Sequence, residues 1–129
     1  YADPKQVRNL FTELYRAIGD DIPVSAHFHD TRGLGLANVF AALDAGVREF
    51  EACLGGLGGC PYAPGASGNI VTEDLVFMLE AMGLSTGVNL DGLLETREIM
   101  ERHLNGEPTH GTFAKAGRPK GFVIKPAIF

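Results

Sequence analysis

The sequence predicts an α/β fold in which βα units lie on a parallel sheet, and three observations lead there. Helical and strand-like hydrophobic periodicities alternate along most of the chain. A strand-like run at 47–54 leads straight into a fifteen-residue stretch, 55–69, that holds six glycines and two prolines and can be neither helix nor regular strand. The composition, 129 residues with 45% hydrophobic and 21% charged, is that of a globular chain about one domain long.

The elements follow in order. Asp3, Pro4 and Gln6 make a helix start, with Asp3 as cap, Pro4 in the first turn and Gln6 at capping-box spacing. Val7, Leu10, Phe11, Leu14 and Ile18 then recur at helical spacing, so one face is expected to be buried, and Gly19 can end the helix. Residues 22–28 read as a strand with Val24, Ala26 and Phe28 on one face and Ser25, His27 and His29 on the other. A second helix is expected over 34–44, with Leu36, Val39, Phe40 and Leu43 inward and Gly46 beyond its end, followed by a second strand at 47–54. After the glycine loop, Leu75, Met78, Leu79 and Met82 mark a third helix from Thr72, its expected cap, with Glu73 and Asp74 in the first turn where the helix dipole favours them. Residues 85–88 are long enough for a very short strand. A fourth helix over 90–104 has Asn89 as cap and Leu90, Leu93, Leu94 and Met100 inward, and 105–129 reads as a tail with room for one helical turn.

Charge and cysteine usage narrow the partners. A net charge of -5 gives no reason to expect nucleic acid or an anionic membrane. No stretch approaches the roughly 20 apolar residues that span a bilayer. Two cysteines, Cys53 in an apolar run and Cys60 in the glycine loop, do not form a secreted disulfide framework. A reducing, cytoplasm-like compartment is the default expectation, with the mitochondrial matrix as the eukaryotic counterpart.

Parallel βα units place the carboxyl ends of their strands at one edge, where sites of α/β folds are built. His27, His29 and the glycine loop all fall there. Residues two apart on a strand point the same way, so both imidazoles can reach one divalent ion, or equally can serve as hydrogen-bonding polar residues at a strand end. Cys60, with an unperturbed thiol pKa of about 8.5, can act as proton donor or nucleophile, or be an incidental exposed thiol. Asn69 can offer an amide oxygen or simply make a turn with Gly68, and Glu73 can orient a ligand or serve the helix dipole. Cys53 reads as a small core residue.

The stretch 56–69 with the following Thr72, Glu73, Asp74 and Leu75 closely resembles the signature of 3-hydroxy-3-methylglutaryl-CoA lyase. His27, Phe28, His29, Asp30 and Thr31, with Gly33, Ala37 and Asn38, resemble the metal motif of the wider metallolyase superfamily. The resemblance extends from the first helix to the segment 106–111. It implies a (β/α)8 TIM barrel that cleaves hydroxymethylglutaryl-CoA to acetyl-CoA and acetoacetate with Mg or Mn, in leucine degradation and ketone-body metabolism. It further implies His27 and His29 as metal ligands, Asn69 as a further ligand or ligand-shell residue, Cys60 as proton donor to the enolate, and Glu73 as a supporting catalytic carboxylate. Gly58 and Gly59 would belong to a substrate-binding loop for the acyl-CoA, and the parent would be a homo-oligomer.

One departure from that family matters. Its catalytic arginine and metal-binding aspartate lie in a motif at the end of the first barrel strand, and nothing here matches it. The chain would hold a partial barrel, about the last three βα units plus a preceding helix. Three strands cannot close a barrel, which typically needs about 250 residues. The expectation is therefore the C-terminal part of a lyase domain over 1–104 and a tail over 105–129, with activity that needs the missing N-terminal barrel half. Cys53 and Leu54 stand where the family more often has Ser and Val. The alternatives are a related acyl-CoA lyase or Claisen-type synthase, or a non-catalytic metal-binding module.

Overall fold

The computed structural model describes residues 2–59, 62 and 65–124. The architecture is α/β, with a two-stranded parallel sheet and several helices: α1 (Pro4–Ile18), β1 (Ser25–His27), α2 (Gly35–Asp44), β2 (Glu49–Glu51), a 3-10 turn at Leu54–Gly56, α3 (Thr72–Ala81), α4 (Leu90–His103) and α5 (Phe113–Ala116). The chain divides into two compact units, residues 1–52 with 58–70, and residues 53–57 with 71–129. Among the described residues no helix is long and apolar enough to cross a membrane.

In the first unit α1 begins as expected. The Gln6 N–H donates to the Asp3 carboxylate at 3.0 Å while the Asp3 N–H donates to Gln6 Oε1 at 3.2 Å, so two backbone donors are satisfied reciprocally. Val7 and Phe11 are buried against Ala26, Ala41, Ala42 and Val47, with Phe28 meeting Phe11 edge-on at 6.5 Å. Leu10 and Phe40, expected inside, are exposed, Leu10 at 64%. They sit at the margins of their apolar stripes, and in α2 the small Ala41 and Ala42 together with Val39 occupy the inner face instead.

Strands β1 and β2 pair in parallel, Ser25 opposite Glu49, Ala26 opposite Phe50 and His27 opposite Glu51. Burial alternates as period two requires: Ala26 is buried and Phe50 half-buried, while Ser25, His27, Glu49 and Glu51 are exposed. Both strands are shorter than the runs expected at 22–28 and 47–54. Beyond His27 the backbone turns to other partners, since the Phe28 carbonyl accepts from Ile70 N–H and the Asp30 N–H donates to Gly68 O, each at 3.1 Å.

In the second unit Val71 rather than Thr72 is the cap of α3, and the Thr72 N–H donates to the Cys53 carbonyl at 3.0 Å. Met82, expected inside, is exposed. The short strand expected at 85–88 does not form. The buried Glu80 carboxylate instead accepts the Thr86 N–H at 2.7 Å and its hydroxyl at 2.6 Å, which ties this segment to α3. Asn89 caps α4 as expected, accepting from Asp91 and Gly92. Leu90 and Phe113 form a core with Val76, and Phe77 stacks on Phe113 at 4.9 Å. Phe113 is placed by Asp74, whose carboxylate takes the N–H groups of Thr112 and Phe113 at 3.0 and 2.7 Å.

Leu90 is fully buried whereas Leu10 is mostly exposed. Leu90→Ala is expected to lower the unfolding free energy by about 2–5 kcal/mol in urea titration, and Leu10→Ala by no more than about 0.5 kcal/mol. Equal losses would contradict the packing described.

The carboxylate of Glu101 takes the Thr109 hydroxyl at 2.7 Å and Arg97 Nε at 2.9 Å, and these contacts hold it below its ordinary pKa against the opposing effect of burial. Its contribution to stability is thus present above the unfolded carboxyl value of about 4.3 and lost as pH falls through the lower folded value. Its side chain is 40% exposed, so solvent screening keeps that contribution small. Glu101→Gln should cost about 0.2–1 kcal/mol at neutral pH and flatten the acid limb of stability against pH. An acid limb of unchanged slope would count against it.

Candidate active site

Parallel pairing brings the last residues of β1 and β2 side by side. His27 Nδ1 lies 3.0 Å from Glu51 Oε2, so the carboxylate orients the ring and leaves Nε2 for another partner. Two residues on, the His29 ring lies 5.2 Å from that of His27, centroid to centroid, with the planes inclined at 58°. Phe28 between them packs into the core on the opposite side, as alternation demands.

His29 in turn makes an isolated antiparallel pairing with Asn69, so the returning limb of the glycine loop joins this edge. Asn69 is buried there. Gly58 has φ of 94°, and a Cβ on it would stand 2.6 Å from Asn69 Nδ2; a Cβ on Gly59 would stand 2.9 Å from the Ala66 carbonyl oxygen. The two glycines are therefore packed against the 66–69 limb, where a side chain would not fit. Asp30 accepts the Gly35 N–H at 2.7 Å at the start of α2. Beside the imidazoles is a pocket of about 210 Å³ lined by Thr31, Arg32 and Asn38 among others. Asn38 is buried, its amide nitrogen donates to the Ala2 carbonyl at 3.2 Å, and its Oδ1 has no hydrogen-bond partner among the described residues.

The donor chemistry of this edge suits a divalent cation. Two imidazole nitrogens and an amide oxygen form a mixed set of the kind that such ions accept. The carboxylate behind His27 fixes which nitrogen is offered. Among the described residues no group of three or more His, Cys, Asp and Glu side chains gathers, so the set would need further oxygen donors.

Glu73 belongs to the second unit. It is completely buried at the first turn of α3, and its two oxygens accept the Gly55 N–H at 3.2 and 3.1 Å. Arg97 of α4, also buried, donates from one terminal nitrogen to Glu73 at 2.7 Å and to the His110 carbonyl at 2.6 Å. The His110 N–H returns to the Gly55 carbonyl at 2.8 Å. Burial works against the charge on Arg97, but the hydrogen bonds and charges of Glu73 and Glu101 prevail and raise its pKa above the ordinary guanidinium value.

Of the residues singled out from sequence, His27, His29, Asn69 and the loop glycines Gly58 and Gly59 thus share the first unit. Glu73 lies in the second, and Cys60 falls outside the described residues. Sequence reasoning missed Glu51 and Arg97. Arg97 had a signal, since it continues the inward stripe of Leu90, Leu93 and Leu94, a place where a lone cation implies a buried anion.

Comparison with known proteins sets this geometry in a family. The HMGL-like family profile matches residues 1–100. The hydroxymethylglutaryl-CoA lyase of Bacillus subtilis is 46% identical over 107 residues, covering 83% of this chain and 35% of its own length. The (R)-citramalyl-CoA lyase of Chloroflexus aurantiacus is 43% identical over 128 residues, covering 99% of this chain and 40% of its own. Among solved structures, an HMG-CoA lyase from A. baumannii in complex with coenzyme A and 3-methylmalate superposes with a TM-score of 0.83 at 47% identity, covering 97% of this chain and 40% of that one. The chain therefore spans less than half the length of these TIM-barrel relatives. With the profile matching most of its residues and these lyases among its relatives, the chain belongs to the HMGL-like family.

Proposed function

We propose that this chain forms part of a divalent-metal-dependent carbon–carbon lyase that cleaves hydroxymethylglutaryl-CoA to acetyl-CoA and acetoacetate. The observation that carries this reading is the convergence of His27, His29 and the limb bearing Asn69 on one sheet edge, in a chain whose relatives include hydroxymethylglutaryl-CoA lyases. The family is generally dependent on divalent metal. In this reading His27, His29 and Asn69 would hold Mg or Mn, and further oxygen donors would come from outside this chain. When bound, the ion acts as a Lewis acid on the oxygens of the substrate.

The chain's own residues then have defined tasks. Glu51 engages Nδ1 of His27 and so leaves Nε2 as the nitrogen available to a ligand. Gly58 and Gly59 let the loop lie close against the 66–69 limb. The loop excludes water from the reacting carbon. As the substrate hydroxyl passes its proton to a base outside this chain, its carbon becomes the ketone of acetoacetate, the adjacent carbon–carbon bond breaks, and the electron pair is left on the methylene carbon of the acetyl-CoA enolate. The Cys60 thiol delivers a proton to that carbon. Glu73 fixes the start of the loop through the Gly55 N–H. Turnover in this reading requires the rest of the barrel, and the 129 residues alone are inactive.

A second substrate has specific support, the 43% identity to (R)-citramalyl-CoA lyase over nearly the whole chain. The experiment compares hydroxymethylglutaryl-CoA and citramalyl-CoA as substrates of the full-length protein with Mg or Mn. The first should have the higher kcat/KM, and the reverse order would move the assignment to the second. Cys60→Ala should lower kcat by about 10²–10⁴-fold. Undiminished turnover in that variant would overturn the proton-donor role.

A further inference from the structure

We propose that Arg97 is a positioning residue for the root of the glycine loop, holding Gly55 from both sides through Glu73 and His110; its catalytic consequence rests on the lyase reading above. Gly55 has φ of 63°, a conformation that its lack of a Cβ makes accessible. Both of its backbone polar groups are taken: the N–H by the Glu73 carboxylate and the carbonyl by the His110 N–H. Those two holders come from different segments, α3 and the stretch after α4. One nitrogen of Arg97 reaches both, at 2.7 Å from Glu73 and 2.6 Å from the His110 carbonyl.

The clamp cannot loosen at one point only. Without Arg97 the wholly buried Glu73 carboxylate loses its counter-charge, and a buried carboxylate left unpaired is costly enough to weaken its hold on the Gly55 N–H. The same loss frees the His110 carbonyl, whose N–H side holds the other face of Gly55. Thr109 and Glu101 brace the arrangement from behind, with Glu101 accepting from both Arg97 and the Thr109 hydroxyl. A Cβ at Gly55 would stand 3.1 Å from Thr109 Cγ2 and from Met100 Cε, so little slack exists around the turn. Gly55 is where the glycine-rich stretch begins, so the clamp fixes the backbone at the point from which that stretch departs, and in an enzyme misplacement by about 1 Å can cost 10²-fold in rate.

A lysine keeps the charge but lacks the planar fork that serves several acceptors at once. Arg97→Lys and Arg97→Gln therefore test the clamp in the full-length protein. The direct readout is residue-resolved hydrogen exchange at the Gly55 amide, with Val7 in α1 as reference. The second is kcat and KM for hydroxymethylglutaryl-CoA with Mn. In Arg97→Gln, Gly55 exchange should rise at least ~10-fold relative to Val7 and kcat fall at least ~10-fold with KM and Mn affinity unchanged. Arg97→Lys should lie between it and wild type. A folded variant with unchanged Gly55 exchange or unchanged kcat would overturn the proposal. If Arg97→Gln does not fold, Arg97→Lys decides, and unfolding of both would mark Arg97 as a general structural residue and overturn the positioning role. A wild type that cleaves neither acyl-CoA would sink the lyase reading, while the exchange measurement would still judge the clamp.

Discussion

The antiparallel pairing of His29 with Asn69 is the constraint on which the first unit's site depends, because it turns the end of a strand and the end of a loop into one edge. The hydrogen bonds on either side, Asp30 to Gly68 and Ile70 to Phe28, lace the two segments together over several residues. Strand alternation alone would set the directions of His27 and His29. The pairing adds Asn69, and with it the requirement that Gly58 carry no side chain, since a Cβ there would meet the Asn69 amide. The glycine loop is thus anchored at its return by the same backbone groups that limit β1 to three residues.

Its departure is anchored in another way. In the second unit a buried carboxylate, a buried guanidinium and the backbone of 109–113 meet around Gly55, and Asp74 fastens the next residues so that Phe113 completes the core. Buried charges of this kind are poor contributors to net stability but costly to break singly, which suits them to fixing one geometry. A neutral, apolar packing of the same volume could hold α3 to α4 as well, but it could not accept the Gly55 N–H.

Much of this was legible in sequence where the deciding interaction is local. The Asp3–Gln6 box and the Asn89 cap act within three residues, and the alternation of Ala26 and Phe28 against His27 and His29 follows from strand geometry. Periodicity overreached at the edges of helical stripes, where Leu10, Phe40 and Met82 satisfy the spacing but not the packing. It also proposed a strand at 85–88 that Glu80 displaces by capturing Thr86. The pairs His27–Glu51 and Arg97–Glu73 each join residues 24 apart, and no local rule points across that distance. The expected roles of the two imidazoles, Asn69, Cys60 and Glu73 came from resemblance to a lyase family, to which the chain does belong.

His27 and His29 are proposed to bind a divalent metal together. Pulsed EPR of Mn(II) added to the full-length protein tests it most directly, because imidazole nitrogen coupled to the ion is seen without any need for turnover. Nitrogen couplings from both rings are expected, with His27→Ala and His29→Ala each removing one share of the signal. A spectrum without nitrogen coupling, or one that neither substitution diminishes, would contradict it.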